Sequence, residues 1–229
     1  MYSLSTNFTT DKAYNMFYKW LKPLPAPAAV YKEEDYMGYT WETLKTRIQD
    51  IIRTDKKLPP LNSLLFSIYT DAYPRRSKNY TFMLINEPDN KINNILVFND
   101  FEQKFIFNDY KTSKKSKPQT VFIEEPLKTV LQDYLKKHVS KNQKYLLMRK
   151  GKALDKQDIS SILRDEIGKK YSIPMGIRRI RHLFTSFVVV DKPVNPRDLQ
   201  DIAYKMGTSD TVMIRNYADF KKAVDTDED

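Results

Sequence analysis

Residues 176–187 read GIRRIRHLFTSF. Ile177, Ile180, Phe184, Phe187 and Val188 recur at helical spacing, so one side of this segment is apolar and predicts a helix facing a core. The same segment carries Arg178, Arg179 and Arg181 within four positions. Arg178 and Arg181 stand at i and i+3, where side chains leave a helix on the same side, and two fixed guanidiniums can grip one tetrahedral anion. Guanidinium suits phosphate because its planar fork donates two parallel hydrogen bonds and keeps its charge at any working pH. Taken alone, the segment also reads as a solvated basic helix face, so the rest of the chain must decide.

Working outward, the C-terminal half is helical. Leu127, Val130, Leu131, Tyr134 and Leu135 form one apolar stripe after Pro126, and Ile159, Ile162, Leu163 and Ile167 form another. Upstream, Trp41, Leu44, Ile48, Ile51 and Ile52 share a face with Thr40 as N-cap, and Leu61, Leu64, Leu65, Ile68 and Tyr69 repeat the pattern after Pro60. Between them lie four β-branched and aromatic runs, YTFMLI (80–85), NILVFN (94–99), KFIFND (104–109) and QTVFIE (119–124), separated by turn-forming residues. These predict a small antiparallel sheet of hairpins inside an α+β, mainly helical domain over residues 41–229. Residues 1–40 are rich in aromatics and interrupted by Pro23, Pro25 and Pro27, which predicts an arm or a vestigial small domain.

Composition narrows the chemistry. Across 229 residues, 39 Lys and Arg oppose 29 Asp and Glu, a formal charge of +10, so the surface attracts polyanions, nucleic acid first. With no cysteine, a thiol nucleophile, disulfides and Cys-ligated zinc are excluded, and two histidines make a His-ligated metal centre improbable. No metal and no cofactor are expected. The 5 glycines form no phosphate-cradling loop. No apolar run is long enough for a membrane span and the N-terminus lacks a signal-peptide pattern. The expectation is a soluble intracellular protein that is not secreted.

The order of four blocks gives these features a context. RIRHLFTS (179–186) resembles the L-R-H-T-F-A-T block of the tyrosine recombinases, the phage-integrase family, and KMGTSDTVMIRNYAD (205–219) resembles that family's L-G-H-S block and the nucleophilic tyrosine after it. The family places its tyrosine nine residues after the His or Trp of L-G-H, and Tyr217 stands nine residues after Thr208. LLFSIYTDAYPRRSKNYTFMLI (64–85) stands in the place of the T-G-L-R-x-x-E-L block, in a form similar to that of crypton-like elements and of viruses of protists, including virophages. NDYKTSKKSK (108–117) offers the lysine that the family carries in a turn between two neighbouring strands of its sheet.

The resemblance implies a tyrosine-recombinase catalytic-domain fold and a role for each matched position. Arg76 takes the first catalytic arginine, since Asn79 and Tyr80 then fall at the family's Glu/Asp and apolar positions, with Arg75 left open as its alternative. Arg181 takes the second arginine, Arg178 the place usually held by His or Lys, and Thr208 that of His or Trp. Lys111, with Lys114 as fallback, is the lysine, and Tyr217 the nucleophile. Arg75, Lys78, Lys114, Lys115, Lys117 and Arg179 are expected to contact DNA. His182 reads as a buried structural histidine.

The implied function is site-specific recombination or integration of double-stranded DNA for a virus or mobile element, through a 3′-phosphotyrosyl link and without ATP or metal, wherever that DNA is: viral factory, host nucleus or cytoplasm. The resemblance also implies that residues 1–40 are an arm or a reduced DNA-clamping segment. Self-association as a dimer or tetramer on DNA is implied as well, although only 12 residues follow Tyr217 to dock on a neighbour. Type IB topoisomerase-like relaxation and a DNA-binding protein without catalysis are the alternatives.

Overall fold

The computed structural model describes residues 36–111, 113 and 117–217, with side chains as far as Ile214 in the last helix. Most of the expected N-terminal arm, and Lys114 and Lys115, therefore lie outside the described residues. Tyr36, at the end of that arm, is buried against the main core.

Helix α1 (Trp41–Thr54) starts at a capping box in which Thr40 and Thr43 satisfy each other's backbone N–H groups. Trp41, Leu44, Ile48 and Ile51 are buried, whereas Ile52, one step round the helix, is half-exposed at the edge of the stripe. Helix α2 (Pro60–Thr70) has proline in its first turn, where a missing N–H is harmless. Every residue from Leu64 to Thr70 is buried, so α2 runs through the centre of the domain instead of presenting one apolar face.

Four strands follow, β1 (Leu84–Ile85), β2 (Ile95–Phe98), β3 (Gln103–Phe107) and β4 (Gln119–Phe122), and they lie side by side in that order. β2, β3 and β4 pair antiparallel, with Phe105 opposite Leu96 and Val121. β1 pairs parallel to β2, so the sheet is mixed and the expectation of an all-antiparallel sheet is corrected. The cause lies in the connecting segments. Residues 80–85 do not extend as one strand: a 3-10 turn at Ser77–Asn79 precedes them and Phe82 adopts a left-handed φ of 48°. Asparagine side chains then fix the crossing. Asn86 accepts from Phe98 N and donates to Phe98 O, and Asn94 donates to the carbonyls of Asn79 and Asp109 while accepting from Asp109 N.

One sheet face, with Leu96, Phe105, Phe107 and Val121, covers the main core. The other carries a smaller cluster of Leu84, Ile95 and Val97 with Ile106 and Tyr145. This division follows from the period-two alternation of strand side chains.

After the sheet comes α3 (Leu127–His138), then a short hairpin of β5 (Met148–Arg149) and β6 (Lys152–Ala153). Lys150 and Gly151 turn it with φ values of 50° and 76°. Helix α4 (Lys156–Ser161) starts at an Asp155–Asp158 capping box and runs on through a wide π-type stretch, Ile162–Gly168, to Tyr171. Gly168 sits where a Cβ would lie 3.1 Å from the carbonyls of Leu163 and Ile173. Helix α5 (Ile177–Ser186) continues into a wide turn at Phe187–Asp191, and α6 (Pro196–Lys205) and α7 (Asp210–Tyr217) close the described chain. About half of the described residues are helical, and the fold is α+β. Among the described residues no helix is long and apolar enough to cross a membrane.

Candidate functional site around the C-terminal turn of α6

Helix α6 begins with Asn195 as N-cap, accepting from Asp198 N, and Pro196 in the first turn. It ends at Gly207, whose φ of 66° only glycine adopts without strain. There the N–H of Gly207 donates to Tyr204 O at 2.9 Å and that of Thr208 to Ala203 O at 3.0 Å. These two bonds are a Schellman motif and satisfy two of the helix's terminal carbonyls. Three more carbonyls remain, those of Lys205, Met206 and Gly207, and each receives an arginine.

Arg75 Nη1 donates to Lys205 O at 2.8 Å, Arg181 Nη1 to Met206 O at 3.2 Å, and Arg76 Nη1 to Gly207 O at 3.2 Å. Arg181 Nη1 also donates to Pro74 O at 2.6 Å, which ties α5 to the segment carrying the other two arginines. Three cations thus meet the negative end of one helix dipole. The two sequence blocks PRR (74–76) and MGT (206–208), about 130 positions apart, become neighbours through the arginine midway in α5.

The arginines differ in access. Arg181 and Arg75 are each 1% exposed, Arg76 is half-buried, and Arg178 is exposed. The expected shared face for Arg178 and Arg181 therefore holds only in spacing: Arg181 turns inward from α5, while Arg178 stays at the surface. Arg75, expected among the DNA contacts, is enclosed by protein, and burial pulls its guanidinium down to about 10, still charged at neutral pH. Burial likewise pushes the Tyr80 phenol up to about 12, and raises that of Tyr69, so both rings beside the arginines stay neutral.

Thr208 is partly exposed, and Ser209 after it caps α7, its hydroxyl accepting from Val212 N at 3.3 Å and its carbonyl from Met213 N at 2.8 Å. Met213 and Ile214 anchor α7 in the core, and Tyr217 ends the helix, its side chain outside the description. Lys111 and Lys117 are exposed in the β3–β4 connection, whose ends are joined by Tyr110 Oη donating to Lys117 O at 2.7 Å. Lys78 is exposed and donates to Asp109 Oδ1 at 2.8 Å, joining the Ser77–Asn79 turn to that same connection. Arg179 is half-buried, and His182 is buried, 4% exposed.

Four contributors were absent from the sequence reading. Gln119 accepts from Arg75 Nη2 at 2.6 Å, Phe107 lies under the Arg75 guanidinium at 3.7 Å, Tyr204 Oη accepts from Thr120 N at 3.1 Å, and Gly207 packs against Arg75. Only Gly207 had a sequence signal, a glycine just past an amphipathic run opened by Asn-Pro. Gln119 and Phe107 depend on strand register, and Tyr204 on how α6 packs against β4.

No family model matches the chain, and neither a curated protein nor a solved structure matches it at a significant level.

Proposed function

We propose that the chain is a DNA strand-breaking and rejoining enzyme of the tyrosine-recombinase type, acting as a site-specific recombinase or integrase. The observation that carries this reading is the meeting of Arg76, Arg181 and the Met206–Thr208 turn, from which α7 leads directly to Tyr217. The chemistry needs a nucleophile, cations for the charge that grows on two non-bridging oxygens, and a proton for the leaving oxygen. Tyr217 releases its phenolic proton to solvent as Oη attacks the phosphorus and displaces the 5′-oxygen, with Arg76, Arg178 and Arg181 stabilising the charge and Lys111 giving its proton to the leaving 5′-oxygen. The bond energy is kept in the phosphotyrosyl link, so religation by the 5′-hydroxyl needs no ATP. Thr208 supplies one neutral hydrogen-bond donor where a stronger one is usual, which implies a slow enzyme.

The expected partner is double-stranded DNA, held by Lys78, Lys117, Arg178 and Arg179 with Lys111 at the scissile phosphate. Self-association on DNA belongs to the same reading. A competing reading, a DNA-binding protein without strand chemistry, has one observation in its favour: Arg181 is 1% exposed and donates to two backbone carbonyls.

Covalent trapping separates them. The protein is mixed with nicked DNA without metal or ATP, denatured, and the DNA-linked peptide identified by mass. A link at Tyr217, lost in Tyr217→Phe, is the expected result; DNA binding with no link on any substrate would leave the non-catalytic reading.

A further inference from the structure

Arg75 and Arg76 are adjacent in sequence and differ in everything a phosphate would notice. Arg76 is half-buried and uses one donor on Gly207 O, whereas Arg75 is 1% exposed, with both Nη groups and one ring-facing side engaged by protein and its Nε buried without a hydrogen-bond partner. One guanidinium face lies 3.7 Å from the centre of the Phe107 ring on β3. Nη2 donates to Gln119 on β4 at 2.6 Å, and Nη1 to Lys205 O at 2.8 Å with a longer contact to Tyr204 O at 3.4 Å. Gly207 seals the remaining side: a Cβ there would stand 2.4 Å from Nη2 and 2.8 Å from Cζ. Both its φ and this contact demand glycine.

The arginine therefore bolts the end of α6 to the sheet, and the bolt is close to α7. Only Thr208 and Ser209 separate Gly207 from the first residue of α7, and Tyr217 lies about 10 Å along that helix at 1.5 Å per residue. A shift at the turn is carried to the tyrosine, and misplacing a reacting group by about 1 Å costs on the order of 10²-fold in rate.

We propose that Arg75 is a positioning residue: through its contacts with Gln119, Phe107, Lys205 and Gly207 it sets where α7 presents Tyr217, and it touches no phosphate itself. This rests on the strand-exchange reading above. Lysine cannot replace it, because an ammonium lacks the planar fork that reaches Gln119 and Lys205 together while stacking on a ring. The arrangement differs from a purely structural arginine in one respect: its loss moves the nucleophile more than it weakens the fold or the grip on DNA.

The test uses the full chain with Arg75→Lys and Gln119→Ala, and three readouts: amide hydrogen exchange across residues 204–217, affinity for a duplex at fixed salt, and the rate of covalent trapping on nicked DNA. For a folded Arg75→Lys the expectation is at least tenfold faster exchange in 204–217, duplex affinity within about twofold, and trapping slowed on the order of 10²-fold. Gln119→Ala should show the same pattern more weakly. Slower trapping with unchanged exchange would overturn the proposal by making Arg75 a direct contact, and unchanged exchange and trapping would overturn it outright. Affinity lost in parallel with trapping would do the same. If Arg75→Lys does not fold, Gln119→Ala decides on the same readouts. If the wild type forms no link, the strand-exchange reading fails by itself, and the exchange measurement alone still reports whether Arg75 holds the turn.

Discussion

Arg181 and Pro74 are joined by a 2.6 Å hydrogen bond from the guanidinium Nη1 to the backbone carbonyl, across 107 positions of sequence. The same Nη1 reaches Met206 O at 3.2 Å, so one buried nitrogen fixes the separation of three segments. The charge is accommodated because backbone carbonyls, including those at the end of α6, face it from two directions. An arginine in this place holds the domain together and aligns its neighbours at once.

Arg181→Ala should therefore destabilise the fold by about 2–4 kcal/mol, through lost charge-assisted hydrogen bonds and unsatisfied buried carbonyls. Urea unfolding measures it. Arg178→Ala, at the surface of the same helix, should change stability by less than about 0.5 kcal/mol while slowing strand cleavage on the order of 10²–10³-fold.

Gly168→Ala should cost about 1–3 kcal/mol, since the added methyl meets two backbone carbonyls at 3.1 Å that cannot swing aside as a side chain could. A lowered urea midpoint with unchanged slope is the expected signature.

Asp55, just after α1, accepts from Lys170 Nζ at 2.8 Å and Tyr171 Oη at 2.6 Å at the end of α4. Hydrogen bonds from Lys170 first, then Tyr171, hold its carboxyl well below the usual carboxylate range, and those with Asp55 raise the Lys170 ammonium above its ordinary value. For an acid with a lowered folded value, the stabilisation is present above the unfolded value near 4 and is lost as pH falls through the folded one. For the lysine it is present below about 10.4 and lost at higher pH. Asp55→Asn should thus lower the melting temperature at pH 7, with the gap to wild type closing in strong acid. A gap independent of pH would show that charge is not involved.

Asp71 caps the C-terminal end of α2, where a carboxylate opposes the helix dipole, and burial raises its carboxyl above the ordinary value. The sign is opposite to that of Asp55: an acid raised on folding favours the native state at low pH and opposes it once ionised. Asp71→Asn should raise stability at pH 7 and give no gain below about pH 4, read as melting temperature against pH.

Lys78 and Asp109 form an exposed pair at 2.8 Å beside the arginine cluster, and such pairs contribute about 0–1 kcal/mol to stability. Removing the carboxylate with Asp109→Asn should leave stability nearly unchanged and tighten DNA binding several-fold at low salt. Lys78→Ala should weaken binding and reduce the slope of log affinity against log salt by about 0.9, the loss of one phosphate contact.

The helices were legible because their signals are local. Thr40 before Trp41, Pro60 at the first position of α2 and the apolar stripe of α5 each follow from spacing along one segment, whereas the expected arginine face of α5 did not form, since Arg181 turns inward and Arg178 outward. The strands β2, β3 and β4 were legible for the same reason, as β-branched and aromatic runs between turn residues. Sequence also brought the PRR and MGT blocks under suspicion together, through the order of the segments.

What tertiary structure alone decided are relations between distant segments. The parallel placement of β1 depends on Asn86 and Asn94 bridging backbone from other strands, which no local pattern encodes. The hairpin turned by Lys150 and Gly151 is too short for its four strand residues to show alternation. Above all, nothing in P-R-R distinguishes its two arginines. Arg75 and Arg76 separate only when β3 and β4 bring Phe107 and Gln119 beneath one of them and α6 ends against both, because burial and hydrogen-bond partners are properties of packing between elements, not of spacing within one.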